Sequence, residues 1–229
     1  MSRIIRVAVI DSGVHASHPH VGGVSGGLGI DEHGDAHDDF VDRLGHGTAV
    51  IAAIREKAPA ADIYAIKVFD RELASTSRAL IAACDHAIAH GVDLINMSLG
   101  TTNVEHEAAL LEAVGRIRAS GAVVIAAGTQ DGVRWLPGSL PGAWQVSLDW
   151  MVPRERCRLD RLNADGAKFS ATGLPRPIPG VPPKHNLKGF SFAVANVTGI
   201  VASLLADADD DAASAIQRAF ERRDPLICA

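Results

Sequence analysis

The 229-residue chain predicts a three-layer α/β fold, a mostly parallel β-sheet flanked by helices, on two observations. Short apolar runs bounded by turns alternate with longer segments whose apolar residues recur at helical spacing, the rhythm of parallel strands joined by right-handed crossovers. The segment Gly189 to Leu205 is apolar on every side for about four turns, so it belongs inside the molecule and not on its surface. With 47% hydrophobic and 21% charged residues the chain can bury a full core, and residues 1–229 are expected to form a single domain. A formal net charge of -5 argues against nucleic acid or an anionic membrane as the main partner. The 3 cysteines, Cys84, Cys157 and Cys228, have no metal-ligand spacing; they suit free thiols in a reducing compartment, and a cytoplasmic protein is expected.

Arg6 to Ile10 reads as a buried strand that ends at Asp11-Ser12-Gly13, which sets a carboxyl group at the edge of a parallel sheet where ligands collect. The stretch to Leu44, rich in Gly, His and Asp, reads as loops with a short strand, and its His33, His37 and acids read as a solvated loop rather than a metal site. Gly45-His46-Gly47-Thr48 then opens a helix that continues through Ala49–Ile54. Ala61–Val68 is the next strand, and Leu73-Ala74-Ser75 an edge segment. A helix from Thr76 to His90 stops at Gly91, a C-cap signal. Val92–Met97 is a strand leading to Ser98-Leu99-Gly100, a helix runs from Val104 to Ser120, and Ala122–Ala127 is the strand before Gly128-Thr129-Gln130. From Asp131 to Gly189 the Pro- and Gly-rich chain, with short strands such as Trp144–Leu148, is expected to form surface and pocket walls more than core. The tail closes with a helix from Ala212 to about Arg222, capped by Asp211.

Ser191 sits at the mouth of the buried helix, where free N–H groups and the helix dipole stabilise negative charge. Alone it reads first as the cap of a core helix. Asp11 and His46 change that reading. A serine hydroxyl needs a base that titrates near neutrality, and imidazole is that base; a carboxylate on the other ring nitrogen fixes the tautomer.

The order Asp11, His46, Ser191 and the local motifs resemble the subtilisin-like serine peptidases. Val-Ala-Val-Ile-Asp11-Ser-Gly with Ser17-His18-Pro19 resembles their aspartate motif, Gly45-His46-Gly-Thr-Ala-Val-Ile-Ala their histidine motif, and Gly189-Phe-Ser191-Phe-Ala193 with Val197-Thr-Gly199 their serine motif. Ile95-Asn-Met97-Ser98-Leu99-Gly100 resembles the family's substrate-binding strand. The resemblance implies a serine endopeptidase that cleaves an extended peptide through an acyl-enzyme, with Asp11, His46 and Ser191 as triad. It implies pocket walls from Ser98, Leu99, Gly100, Ala126, Ala127 and Gly128, the substrate lying as a strand beside Leu73-Ala74-Ser75.

Three departures stand out. The family's oxyanion asparagine is replaced by Thr129, whose hydroxyl is expected to take its place, with Gln130 as the alternative. Ala195 and Asn196 occur where Pro and His are usual. Trp135 aligns at the pocket floor, where it either fills the pocket and restricts the residue before the cut to a small one, or is an ordinary loop aromatic turned into the core. No cofactor and no required metal are expected, and the partner is a peptide or precursor protein, with no nucleic acid and no membrane. The few residues before the first strand lead to the expectation of no propeptide, and hence of a narrow-specificity enzyme that removes a leader from a precursor. Two alternatives stay open: a non-catalytic peptide-binding relative with an impaired oxyanion hole, and a transpeptidase or macrocyclase using the same acyl-enzyme.

Overall fold

The computed structural model describes residues 3–182, 185–208 and 210–228. Its strands are β1 (Arg6–Asp11), β2 (Gly26–Ile30), β3 (Ala36–His37), β4 (Asp62–Lys67), β5 (Leu94–Met97), β6 (Val123–Ala127), β7 (Trp144–Leu148), β8 (Cys157–Asn163), β9 (Gly166–Ala171) and β10 (Ile227–Cys228). The helices are α1 (His46–Lys57), α2 (Ser77–Ala89), α3 (Glu107–Ala119), α4 (Phe190–Ala206) and α5 (Ala212–Glu221). The expected helix from Val104 begins as a 3-10 turn, Val104–His106, before it becomes α3.

All ten strands share one sheet in the order β10-β8-β9-β7-β6-β5-β1-β4-β2-β3. From β2 through β4, β1, β5, β6 and β7 to β9, every neighbouring pair is parallel. The alternation of β1 divides the core between two faces. Val7 and Val9 join the cluster containing α1, α4 and α5, while Ala8 and Ile10 join the one containing α2 and α3. That is the expected three-layer arrangement. α2 carries the chain from β4 across β1 to β5, so strand order reverses around β1. A crevice opens at such a reversal, beyond the strands' C-terminal ends, and β1 ends there in Asp11.

One expectation is overturned. The stretch from Asp131 to Gly189 contains β7, β8 and β9, and Val146, Cys157, Ala167, Phe169 and Ala171 are fully buried. The β8–β9 hairpin extends the sheet and supports α4 and α5. Its period-two pattern is broken by a register shift between Leu159 and Arg161, so the alternation that marks a strand lapses midway. Asp165-Gly166, with Gly166 at φ 123°, was the available turn signal.

Candidate active site

β1 delivers Asp11 fully buried to the rim of the sheet. Its Oδ1 accepts from the Ser12 N–H at 2.8 Å and lies 2.6 Å from Nδ1 of His46. His46 opens α1. A Cβ on Gly47 would stand 2.3 Å from the Gly13 carbonyl oxygen, so only glycine lets the histidine helix approach the aspartate turn this closely.

The first-turn N–H groups of α1 need acceptors, and Asp42, 1% exposed, supplies them. Its Oδ1 accepts from the N–H groups of Leu44 and Gly45 and from the Ser12 hydroxyl; its Oδ2 accepts from the N–H and hydroxyl of Thr48 at 2.9 and 2.6 Å. Burial pushes the Asp42 pKa up, but the donors, Thr48 first, outweigh it and hold it below the ordinary value. Asp42 thus locks together the loops carrying Asp11 and His46. Sequence reasoning missed it, because it is one acid in a segment full of them. Burial lowers the pKa of His46, but the hydrogen bond and charge of Asp11, with Asp42 behind it, raise it more, so the ring titrates above its ordinary 6.5.

α4 starts from Gly189 at φ 149° and ψ -173°, a conformation reserved almost entirely for glycine, and the Gly189 N–H is held by the Gly173 carbonyl at 2.9 Å. Ser191 follows in the first turn, and its hydroxyl does not cap the helix. It donates to the Ser98 carbonyl at 3.0 Å. Beneath it a buried ladder ties α4 to β5: the Thr198 hydroxyl donates to Asn96 Oδ1, Asn96 Nδ2 to the Ser98 hydroxyl, and that hydroxyl to the Ser191 carbonyl. Among the described residues no hydrogen bond joins Ser191 to His46, yet both line one cavity of about 420 Å³.

Of the expected pocket residues, Ser98, Leu99, Gly100, Ala127 and Trp135 line this cavity, opposite Leu73, Ala74 and Ser75. Trp135 lines the cavity and also packs against the core. Ala126 and Gly128 are not in the lining: Ala126 faces the α2–α3 core, and Gly128 lies against Gln145. Thr129 is also absent from it. Its hydroxyl stands 3.3 Å from that of Ser139, and the Gln130 Oε1 accepts from the Leu148 N–H at 2.8 Å. No acceptor for the Ser191 N–H is found among the described residues, which leaves that donor open. Asn196 donates to the Thr172 and Leu174 carbonyls, each at 3.0 Å, and thereby braces α4 against the segment after β9. The rim at residues 70–75 is tethered by Lys67, buried on β4, whose Nζ meets Asp70 at 2.8 Å and Asp39 at 3.3 Å; Arg43 bonds the same two carboxylates. The Arg43 hydrogen bond is the main cause that brings the Asp39 pKa down to about 2.

Residues 2–152 match the model of the subtilase family, a span that contains Asp11 and His46 and stops before Ser191. The chain belongs to the subtilase family. It is 32% identical over 180 residues to the minor extracellular protease Epr of Bacillus subtilis (strain 168), covering 74% of this chain and 27% of that protein. It is 30% identical over 220 residues to subtilisin DY of Bacillus licheniformis, covering 88% of this chain and 76% of that protein. Against subtilisin E of Bacillus subtilis (strain 168) it is 28% identical and spans 54% of that subtilase. A crystal structure of a lanthipeptide protease shares the fold, with a TM-score of 0.69 at 19% identity over 93% of this chain and 78% of the other.

Proposed function

We propose that the chain is a serine endopeptidase of narrow specificity that processes a leader or precursor peptide in the cytoplasm. The observation that carries the reading is the 2.6 Å contact between His46 and Asp11 beside a cavity that His46 shares with Ser191. For attack, the Ser191 hydroxyl leaves the Ser98 carbonyl by rotation about its Cα–Cβ bond and gives its proton to His46. The seryl oxygen then bonds to the substrate carbonyl, and the oxyanion meets the Ser191 N–H at the positive end of α4. Collapse passes the proton from His46 to the leaving amine, and water repeats the sequence to release the acyl group. Asp11 holds the ring tautomer and steadies the imidazolium throughout. The fold shared with a lanthipeptide protease supports processing of a peptide precursor. Three cysteines without a disulfide fit a reducing compartment, and among the described residues no helix is long and apolar enough to cross a membrane.

A fluorophosphonate probe tests the chemistry: it is expected to label the wild type at Ser191 and to leave Ser191→Ala unlabelled. An unlabelled wild type would favour the reading of a peptide-binding relative without turnover. That reading draws its support from Thr129, whose hydroxyl faces Ser139 rather than the cleft. Specificity is tested separately at Trp135. With the indole in the cavity wall, a peptide series varied only at the residue before the cut is expected to favour Ala over Leu and Phe. Trp135→Ala is expected to raise kcat/KM for Leu or Phe relative to Ala by about tenfold or more, the order of effect of a few methylene groups in an apolar pocket. A wild-type preference for Phe would refute the role given to Trp135.

A further inference from the structure

A second cavity, also of about 420 Å³, lies outside the cleft just described and shares none of its lining residues. Its floor is Thr48, Ala49 and Ala52 of α1, and its walls come from two loops. One follows Asp11 and contributes His15, His18 and His20; the other precedes α4 and contributes Arg176, Asn186 and Leu187. The cavity's lining includes Gly45, next to His46 in the chain, and Leu187, four residues before Ser191. The imidazole that deprotonates the serine must also protonate the departing amine, so the leaving half of a substrate passes over His46. Gly45, the residue before His46, lines the second cavity, whereas His46 and Trp135 line the first.

Beside the apolar Pro175, Ile178 and Leu187, the ionisable side chains that line this cavity are one-sided: Arg176 and histidines, with no carboxylate. In a chain of net charge -5, no Asp or Glu occurs between Ser12 and Ile30, or between Gly166 and Ala206, the two stretches that hold its walls. Arg176 is half-buried and makes a single described side-chain hydrogen bond, from Nη1 to the His20 carbonyl at 3.1 Å; among the described residues it has no salt bridge. Two acids reach this region and both are already engaged: Asp42 lies behind the floor, its Oδ2 taken up by the N–H and hydroxyl of Thr48, and Glu56 is held by Arg154 through both carboxylate oxygens. The field is felt inside the pocket: burial first, then Arg176 and His18, lower the pKa of His20 despite the opposing Glu56.

We infer that this histidine- and arginine-lined cavity receives the substrate on the leaving-group side of the scissile bond and selects a carboxylate there, with Arg176 as its fixed cation. The inference rests on the acyl-enzyme reading above. It deepens that reading by naming an acidic segment just beyond the cut.

Partition of an acyl-enzyme tests it without knowledge of the natural substrate. N-acetyl-alanine p-nitrophenyl ester acylates Ser191 and releases p-nitrophenol. An added amine then attacks the acyl carbonyl, its proton passes to His46, the seryl oxygen leaves and takes that proton back, and an amide forms in place of the acid made by water. The amines are tripeptide amides with Glu or Gln at the first, second or third position and Gly elsewhere. Gly-Gly-Gly as free acid and as amide reports a terminal carboxylate. At least one acid form is expected to capture the acyl group about tenfold better than its neutral isostere, the size of a hydrogen-bonded charge pair in a partly buried site. Arg176→Gln is expected to bring that ratio to about one, and Arg176→Lys to restore part of it. Because each ratio is taken within one enzyme, it does not depend on how much ester turnover the variant keeps. Ratios within about twofold of one for every pair, with a normal p-nitrophenol burst, overturn the inference alone. Absence of any p-nitrophenol release that depends on Ser191 overturns the acyl-enzyme reading and the inference with it.

Discussion

Asp11→Asn is expected to lower kcat by about four decades while the protein stays folded, the order of loss known for the same change of role in serine peptidase triads. The carboxyl lies 2.6 Å from Nδ1 of His46, and an amide presented there can donate to that nitrogen. The ring would then carry its proton on Nε2, the atom that must accept from Ser191. The pH profile separates this from a mere loss of structure. His46 works as a base only when neutral, and its pKa is raised by Asp11. Wild-type kcat/KM should therefore climb with pH through an apparent pKa above 6.5 and level off. In Asp11→Asn the raising influence is gone, so the remaining activity should climb at lower pH. A variant whose acid limb stays in the wild-type position, or whose kcat falls less than about tenfold, would show that Asp11 does not govern the ring.

Thr129→Asn is expected to gain rate. In subtilisin, removing the oxyanion asparagine costs about two to three decades in kcat, and in this chain the matching threonine keeps its hydroxyl 3.3 Å from Ser139. The Ser191 N–H is left to meet the oxyanion without a side-chain donor from this position. An asparagine at 129 is one bond longer and carries an N–H donor, so kcat should rise by about tenfold or more. KM should change little, because the added bond forms to the oxyanion and not to the ground-state carbonyl. Loss of the Thr129–Ser139 contact costs on the order of 1 kcal/mol of folding stability, which does not enter kcat of the folded enzyme. An unchanged kcat in a folded variant that still reacts with fluorophosphonate would mean another group already fills the donor's place.

How much of this was legible in the sequence follows from which physical signals survive without coordinates. β1 is apolar from Val7 to Ile10 and α4 is apolar on every side apart from a few small polar residues, and both were legible with the residues at their ends, Asp11 and Ser191; α1 was legible from its glycine-bracketed histidine. The β8–β9 hairpin was not, since its bulge interrupts the alternation and Arg158, Asp160 and Arg161 point a charged face outward. Asp42 was hidden for another reason. Asp31, Asp35, Asp38, Asp39 and Asp42 are chemically alike along the chain, and only the fold turns one of them inward against the donors of α1. Thr129 aligned with the family's donor, but alignment along the backbone says nothing about rotamer, and its hydroxyl lies 3.3 Å from that of Ser139.

The glycine at 47 has one more consequence. Because the helix bearing the imidazole meets the turn bearing the carboxyl at a backbone approach that only glycine permits, held by the Ser12 and Asp42 hydrogen bonds, their spacing is set locally and not by the bulk of the core. A lineage can therefore exchange most of its interior and keep the same ruler between acid and base. That is how barely three residues in ten shared with subtilisin DY are compatible with a contact as tight as 2.6 Å.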